Sequence, residues 1–426
     1  MDRLTASRRA VLGAGATLLA ASAAQGAEGR SAEAEAQRIL ERYHGFGDKA
    51  SGGPGDDACG AWLEDELKAL GYVCARQAFD VPAYEGEAPT LTVGGTRAEL
   101  IPQAIVTPTP AGGLTAPLSV EGRPGAITLM VLPHARWSTI KGPLARRVGA
   151  ALAAGSRAVV LVTTGPTGEA IALNTPPERP LFDRPVAVMA PKDAEPFLAA
   201  AARGEDATLR MGGRSFRRPA FNVTAKLDRG AARTLVLSTP RSGWFTCAGE
   251  RGSGLAAWLL LSGWAARTRL PINLALVATS GHEYEYAGGE HYIAELAPKP
   301  AQTALWVHIG ANVAARDWHE YGRLVPLPSA DPQRFLLASP PLVPAAKAAF
   351  AGLAGLEQTY PATRELAAGE LASILHAGYD PVMGIFGVHR FHHTRQDDMR
   401  CVSAELVPPV TNAFAKVIGD RLHAPG

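Results

Sequence analysis

Four short apolar runs, each followed by a helical segment, constrain the fold of this chain more than any other feature. The segments after them carry apolar residues at helical spacing. Near-continuous apolar strands that alternate with helices predict an α/β fold with a doubly wound, mostly parallel sheet and helices on both faces. In such a sheet, ligands bind beyond the carboxyl ends of the strands. The runs are Thr234 to Ser238, Ile272 to Thr279, Ala304 to His308 and Pro381 to Phe386.

The composition is that of an ordinary globular protein. Hydrophobic residues make up 47% of the 426 residues and charged residues 19%, which excludes a solvated, disordered chain. The formal net charge at pH 7 is +2, so no overall field attracts nucleic acid or an anionic membrane. Neither is therefore an expected partner.

The segment from about residue 90 to 215 has a different sequence pattern from the rest of the chain. Short β-type runs alternate there with two alanine-rich helical stretches, Leu144 to Ala154 and Ala194 to Ala202, and with loops rich in proline and glycine. This pattern predicts a compact inserted α/β module. Because the segment holds few clustered acids and histidines, we expect it to shape access to a site elsewhere.

The amino-terminal residues are typical of an export signal. Arg8 and Arg9 precede an apolar stretch, Val11 to Ala24, which is too short to span a bilayer and ends in small residues. We expect a twin-arginine signal peptide and a periplasmic or secreted protein without membrane attachment after cleavage. In an oxidising compartment the four cysteines permit one or two disulfides, and buried free thiols are an equally open alternative. The cysteines are Cys59, Cys74, Cys247 and Cys401.

Imidazole and carboxylate groups lie beside the predicted strand ends, and one carboxylate lies in a glycine-rich turn that opens a helix. Zinc binds imidazole nitrogen and carboxylate oxygen in a tetrahedral arrangement that leaves one position to water. A single residue of this kind is commonly structural, but together they fall where an open sheet places its site. The pattern therefore favours a metal site. The residues are Glu250, His282, Glu283, His308, His392 and His393.

The order of these residues resembles metallopeptidase family 28, the zinc aminopeptidases that also include glutaminyl cyclases and the transferrin-receptor ectodomain. Three segments carry the resemblance, Gly52 to Tyr72, Phe221 to Ala225 and Phe391 to Asp398. The resemblance covers nearly the whole chain after the signal peptide and implies a zinc-exopeptidase-like fold with a protease-associated domain inserted into it. The implied organisation is a signal peptide at 1–27, the catalytic-fold domain at 28–95 and 216–426, and the insert at 96–215.

The sequence also departs from this family. The resemblance implies two zinc ions and a glutamate base, but Pro240 and Ser242 stand where the family has its first histidine and the aspartate that follows it. Proline cannot bind a metal. The resemblance therefore implies one zinc ion, and absence of the metal is the alternative.

The remaining roles also follow from the resemblance. Glu250, Glu283 and His393 take the positions of the zinc ligands, and His282 takes the position of the general base. Imidazole is suited to that role because it titrates near neutrality. Three further residues are expected to contact the substrate or the metal ligands, namely His308, Glu370 and His392.

The implied activity is that of an exported, aminopeptidase-like hydrolase acting on peptide bonds or on the amide bond of a small molecule. The alternative is a catalytically inactive binding or scaffold protein, because Pro240, Ser242 and His282 replace family residues. A cyclase-like, amide-forming enzyme is disfavoured because the helper residues expected around its zinc are not recognisable.

Overall fold

The computed structural model describes residues 31–102, 106–178 and 180–423. The predicted signal peptide at 1–27 lies outside them. The helices are α1 (31–45), α2 (Pro54–Ala69), α3 (Pro143–Ala153), α4 (Glu195–Arg203), α5 (Ser253–Arg267), α6 (Ala287–Glu295), α7 (Val343–Ala349), α8 (Glu370–His376) and α9 (Val407–His423). The strands of the central sheet are β1 (Val73–Glu85), β9 (Arg214–Leu227), β10 (Thr234–Pro240), β11 (Asn273–Thr279), β12 (Thr303–Ile309), β15 (Arg334–Ala338), β16 (Thr359–Pro361) and β17 (Val382–Gly387).

The central sheet has eight strands in the order β1-β9-β11-β10-β12-β17-β15-β16. Its four middle strands, β11, β10, β12 and β17, run parallel and correspond to the four apolar runs of the sequence. The pairs β1–β9, β9–β11 and β15–β17 are antiparallel. The predicted α/β fold is confirmed, with a parallel centre and antiparallel flanks.

Both faces of the sheet are covered, as the continuous apolar strands require. In β10, the buried Leu235 and Leu237 pack into a core that includes Leu255 of α5. Val236 between them points to the opposite face and packs into a second core with Leu371 of α8. This alternation buries every side chain in the interior of the strand, which is why its sequence shows no polar face.

Seven short strands in the described part of the inserted segment close into a barrel in the order β2-β3-β7-β6-β5-β4-β8. Closure leaves no free sheet edge, and hydrophobic periodicity alone does not reveal it. The barrel begins at Thr90, ahead of residue 96, and its description as a protease-associated domain stays a prediction. The strands are β2 (Thr90–Val93), β3 (Thr96–Pro102), β4 (Leu114–Ser119), β5 (Ile127–Val131), β6 (Ala158–Val162), β7 (Val186–Met189) and β8 (Asp206–Arg210).

Local features complete the fold. A hairpin of β13 (Arg316–Glu320) and β14 (Leu324–Ala330) follows β12. Helix α7 ends at Ala349, and it cannot continue to Gly355 because Gly352 and Gly355 both have a φ of +78°, which a right-handed helix does not allow. All four cysteines are free thiols. No helix of the described residues is both long and apolar enough to cross a membrane.

Candidate active site

A cavity of about 260 Å³ lies beyond the carboxyl ends of the parallel strands. The turn between β10 and α5, the turn after β11, the end of β12, the start of α8 and the loop after β17 supply its chemically active side chains. All of these side chains are buried. They are Glu250, Arg251, His282, His308, Glu370, His392 and His393.

Glu250 lies on a π-helical turn, Ala248–Gly252, that leads into α5. The turn is held by Asp397, whose carboxylate accepts hydrogen bonds from the backbone N–H of Gly249 at 2.6 Å and of Glu250 at 3.0 Å. Position 249 must be glycine, because a Cβ there would lie 2.7 Å from the His389 ring. Asp397 thereby fixes Glu250 relative to the loop that carries the cavity histidines.

Glu250, His392 and His393 form one buried group whose ligand atoms lie within 4.8 Å of one another. Glu250 Oε1 lies 3.1 Å from His393 Nε2 and 3.7 Å from His392 Nδ1. The two imidazole rings stack with centroids 3.9 Å apart, because His393 has a φ of +57°, in the left-handed region. Backbone strain at such a position is typical of a functional site.

The hydrogen bonds of this group match the needs of a metal ion. His393 Nδ1 donates to the carbonyl of Ala172 at 2.8 Å, and this second bond orients Nε2 toward Glu250 in the way that metal-binding histidines are oriented. Glu250 Oε2 and His392 Nδ1 are buried without a hydrogen-bond partner among the described residues. A tetrahedral zinc ion with bonds of about 2.0–2.1 Å separates its ligand atoms by roughly 3.3 Å. The two distances from Glu250 Oε1, 3.1 Å and 3.7 Å, lie on either side of this value. The donor set fits zinc.

A second group of metal-binding types, His389, Asp397 and Cys401, lies nearby and is also buried. Its polar atoms already form hydrogen bonds within the protein. Both oxygens of Asp397 accept backbone hydrogen bonds, His389 Nε2 lies 3.1 Å from Asp397, and the Cys401 thiol donates to the carbonyl of Gln396. Burial, the largest cause, raises the pKa of Cys401 well above its ordinary value and keeps it a thiol. This group supports the loops and is not a metal site.

On another side of the cavity, Glu370 lies between two histidines. Its Oε1 is 3.5 Å from His282 Nδ1, and its Oε2 is 3.4 Å from His308 Nε2. The indole of Trp306 donates to Ser238 Oγ, which lies 2.9 Å from His308 Nδ1. Because the Glu370 carboxylate can only accept, the tautomer of His308 with its proton on Nε2 satisfies both neighbours, and Ser238 then donates to Nδ1.

Burial decides the charge of both histidines. It is the largest cause of the lowered pKa of His282, and of His308, whose pKa falls to about 4. Burial alone would raise the pKa of Glu370, but the hydrogen bond from His282 and the nearby histidines and Arg251 lower it. At neutral pH the group is thus a carboxylate between two neutral imidazoles. With Nδ1 of His282 donating to Glu370, its Nε2 is left to accept a proton.

Glu283 lies apart from the group of Glu250, His392 and His393. Its carboxylate accepts hydrogen bonds from the backbone N–H of Ser51 and from the hydroxyls of Ser51 and Ser242, at 2.7 to 3.1 Å. Burial, the largest cause, raises its pKa, and these bonds oppose the rise. Of the three predicted ligands, the structure brings together Glu250 and His393, with His392 beside them.

Arg251 is a charged cavity residue that sequence reasoning missed. Its Nη2 lies 2.5 Å from Glu250 Oε1, and the side chain is 2% exposed. Burial would raise the pKa of Glu250, but Arg251 and the two histidines bring it well below its ordinary value. The signal in the sequence was a charged residue two positions before Ser253, where the almost wholly apolar helix α5 begins.

The barrel closes the cavity on one side, as expected for a segment that shapes access. Ser138 Oγ lies 3.1 Å from His392 Nε2, and Asn174 accepts a hydrogen bond from the indole of Trp244. Both residues line the cavity. Neither was predicted, because serine and asparagine in a loop carry no signal of which distant element they meet.

Comparison with known proteins gives the fold a precedent. No protein-family model matches the sequence, and no curated protein matches it. Among solved structures, an aminopeptidase from Aneurinibacillus sp. strain AM-1 is 16% identical, with a TM-score of 0.67 over 92% of this chain and 94% of that chain. The zinc aminopeptidase BSAP from Bacillus subtilis is 15% identical, with a TM-score of 0.70 over 92% and 94%. A peptidase M28 precursor from Shewanella amazonensis SB2B is 15% identical, with a TM-score of 0.69 over 93% and 97%. The chain therefore has a family-28-like metallopeptidase fold.

Proposed function

We propose that this protein is a peptidase-like hydrolase that cleaves a peptide or amide bond in the cavity, with one zinc ion held by Glu250, His392 and His393. One observation carries the proposal. His282, which is neutral and contacts the Glu370 carboxylate, lines the same cavity as Glu250 and His392, each of which has a buried atom without a partner among the described residues. His392 takes the place of Glu283 in this ligand set, because the oxygens of Glu283 are used by serine groups. The similarity in fold to zinc aminopeptidases supports the same chemistry.

In this proposal His282 is the general base. Its Nε2 takes a proton from the attacking water and gives it to the departing amine, while Glu370 holds the imidazole through Nδ1 and stabilises the imidazolium that forms. When bound, zinc supplies a Lewis acid that polarises the substrate carbonyl and lowers the pKa of a water molecule. The 3.5 Å separation of His282 and Glu370 is long for a hydrogen bond, as is common before substrate binds.

The test is hydrolysis of a leucine amide or a short peptide by the purified protein with zinc. His282→Gln should lower turnover by about 10²–10⁴-fold without removing zinc. His291→Gln is the matched control, because its side chain is 44% exposed on α6. Since burial and the Arg251 charge lower the pKa of His282 from 6.5, the activity should fall with acidification only below that pH. Unchanged activity of His282→Gln would contradict the proposed mechanism.

A second candidate is a catalytically inactive binding protein. The observation that favours it is the Arg251–Glu250 ion pair, in which a positive charge already neutralises the carboxylate of the metal group. Elemental analysis separates the two candidates. About one zinc ion per chain supports the hydrolase, and none after dialysis against zinc supports the binding protein.

Export by the twin-arginine route is part of the proposal. The support is the paired Arg8 and Arg9 ahead of the apolar stretch. Replacing both by lysine should retain the protein in the cytoplasm, because that pathway reads the arginine pair and not charge alone. Normal delivery of the double variant to the periplasm would contradict it.

A further inference from the structure

The guanidinium of Arg251 is buried with most of its hydrogen-bonding capacity unused. An arginine side chain offers five N–H donors. Within the described residues, the contact of Nη2 with Glu250 Oε1 is the one polar contact of this guanidinium, and Nε is buried without a partner. A charged donor without acceptors is costly in a protein interior, so such groups normally have partners. Arg251 lines the cavity, and its unused donors are consistent with a ligand there.

The guanidinium acts on both sides of the cavity. After burial, which is the largest cause in each case, its charge contributes to the lowered pKa of His282 and of His308. It also contributes to the lowered pKa of Glu370. This positive charge therefore lines the same cavity as the proposed base and the proposed metal group.

The charges around the cavity select the ligand class. Arg251 is already paired with the Glu250 carboxylate at 2.5 Å, so it offers hydrogen-bond donors rather than a free positive charge that would attract a second carboxylate. A carbonyl oxygen carries no net charge when it binds and gains negative charge only during reaction. Arg251 is thus better suited to an amide carbonyl than to a carboxylate.

We propose that Arg251 is a catalytic residue that binds the carbonyl oxygen of the scissile amide and stabilises the oxyanion formed there. The inference rests on the proposed function. Water adds to the carbonyl carbon and gives its proton to His282, while the carbonyl π electrons move to the oxygen that Arg251 binds. The intermediate then re-forms the carbonyl and breaks the C–N bond, and the amine leaves with the proton from His282. One amide and one water become one acid and one amine.

The experiment compares two non-hydrolysable analogues of leucyl-alanine by calorimetry with zinc in excess. A phosphonate carries tetrahedral, anionic oxygens, whereas a reduced amide, with CH₂ in place of the carbonyl, lacks the oxygen altogether. Arg251→Met should weaken phosphonate binding by about 10²–10³-fold and lower kcat by a similar factor. Affinity for the reduced amide and KM should stay within about threefold. Arg267→Met, an exposed arginine of α5, is the matched control and should change neither.

Arg251→Lys keeps a positive charge beside Glu250 with fewer donors, and it serves if Arg251→Met fails to fold. We expect an intermediate loss of phosphonate affinity. Equal loss of both analogues, or loss of neither, would overturn the inference, because Arg251 would then only neutralise Glu250. Phosphonate binding that depends on Arg251 in a wild type that cleaves nothing would show an anion-binding residue, and it would overturn both the proposed hydrolase and the catalytic role of Arg251. Hydrolysis that is unchanged in Arg251→Met would support the proposed hydrolase and overturn the inference about Arg251.

Discussion

Glu250 and Glu283 are both buried carboxylates near the carboxyl ends of the central strands, yet the structure surrounds them in opposite ways. Glu283 is enclosed by hydroxyl and backbone N–H donors from Ser51 and Ser242. Glu250 faces Arg251 and His393 through one oxygen, and in the part of the chain that the structure describes its other oxygen has no hydrogen-bond partner. The two carboxylates share residue type and burial, so unmet hydrogen-bonding capacity is what distinguishes Glu250, the proposed zinc ligand, from Glu283.

The largest expected effect is on metal content. Glu250→Gln should reduce zinc affinity by more than about a hundredfold, because it removes a ligand and not an outer partner. Glu283→Gln should retain about one zinc ion per chain, since its carboxylate faces serine groups. Elemental analysis of the two purified variants checks both expectations. Loss of zinc from Glu283→Gln alone would reverse the roles of the two carboxylates.

A smaller effect is expected at Asp397, which holds Glu250 without contacting the cavity. Asp397→Asn replaces one of the two oxygens that accept the N–H groups of Gly249 and Glu250 by an amide nitrogen. The turn should loosen, and zinc affinity measured by competition with a chelator should fall by about 10–100-fold. Asp398→Asn is the control, because Asp398 is partly exposed and pairs with Arg400. Equal behaviour of the two variants would show that the turn is held by other contacts.

The smallest effect concerns the pH dependence of stability in the metal-free protein. Burial raises the pKa of Glu283 above 4.5, so the folded state binds the Glu283 proton more tightly than the unfolded state does. The contribution of Glu283 to the unfolding free energy therefore rises as pH falls toward 4.5. Glu250, whose pKa is lowered, contributes stability above pH 4.5 that is lost as pH falls further.

Urea unfolding of the wild type and of each glutamine variant between pH 7 and pH 3 measures these two contributions. Each unit of pKa difference corresponds to about 1.4 kcal/mol. Relative to its glutamine variant, the wild type should gain stability at Glu283 and lose it at Glu250 on acidification. The same sign at both positions would remove the distinction between the two surroundings.

The parallel centre of the sheet was predictable because strands that are buried on both faces have continuous apolar sequences. The antiparallel flanks were harder to predict, since β15 is short and follows a hairpin that separates it from β12. Closure of the barrel in the insert depends on which strands pair. Pairing between residues that are far apart in the chain cannot be predicted from local sequence patterns.

The site was predictable in position and only partly in composition. Strand ends placed Glu250, His282 and His393 near one cavity, as the structure also does. The directions in which adjacent side chains point could not be predicted from the sequence. His282 lines the cavity while Glu283 faces Ser51, and the left-handed backbone at His393 stacks it on His392. Such orientations depend on turn conformation, which single residue types do not encode.

The hydrogen bond from His393 to the Ala172 carbonyl joins residues 221 positions apart, one in the loop after β17 and one in a loop of the inserted segment. Ser138, in another loop of that segment, lies beside His392. The orientation of both histidines therefore depends on packing of the inserted segment against the central sheet. If these histidines hold zinc as proposed, tight zinc binding requires that both parts of the chain have folded and packed together.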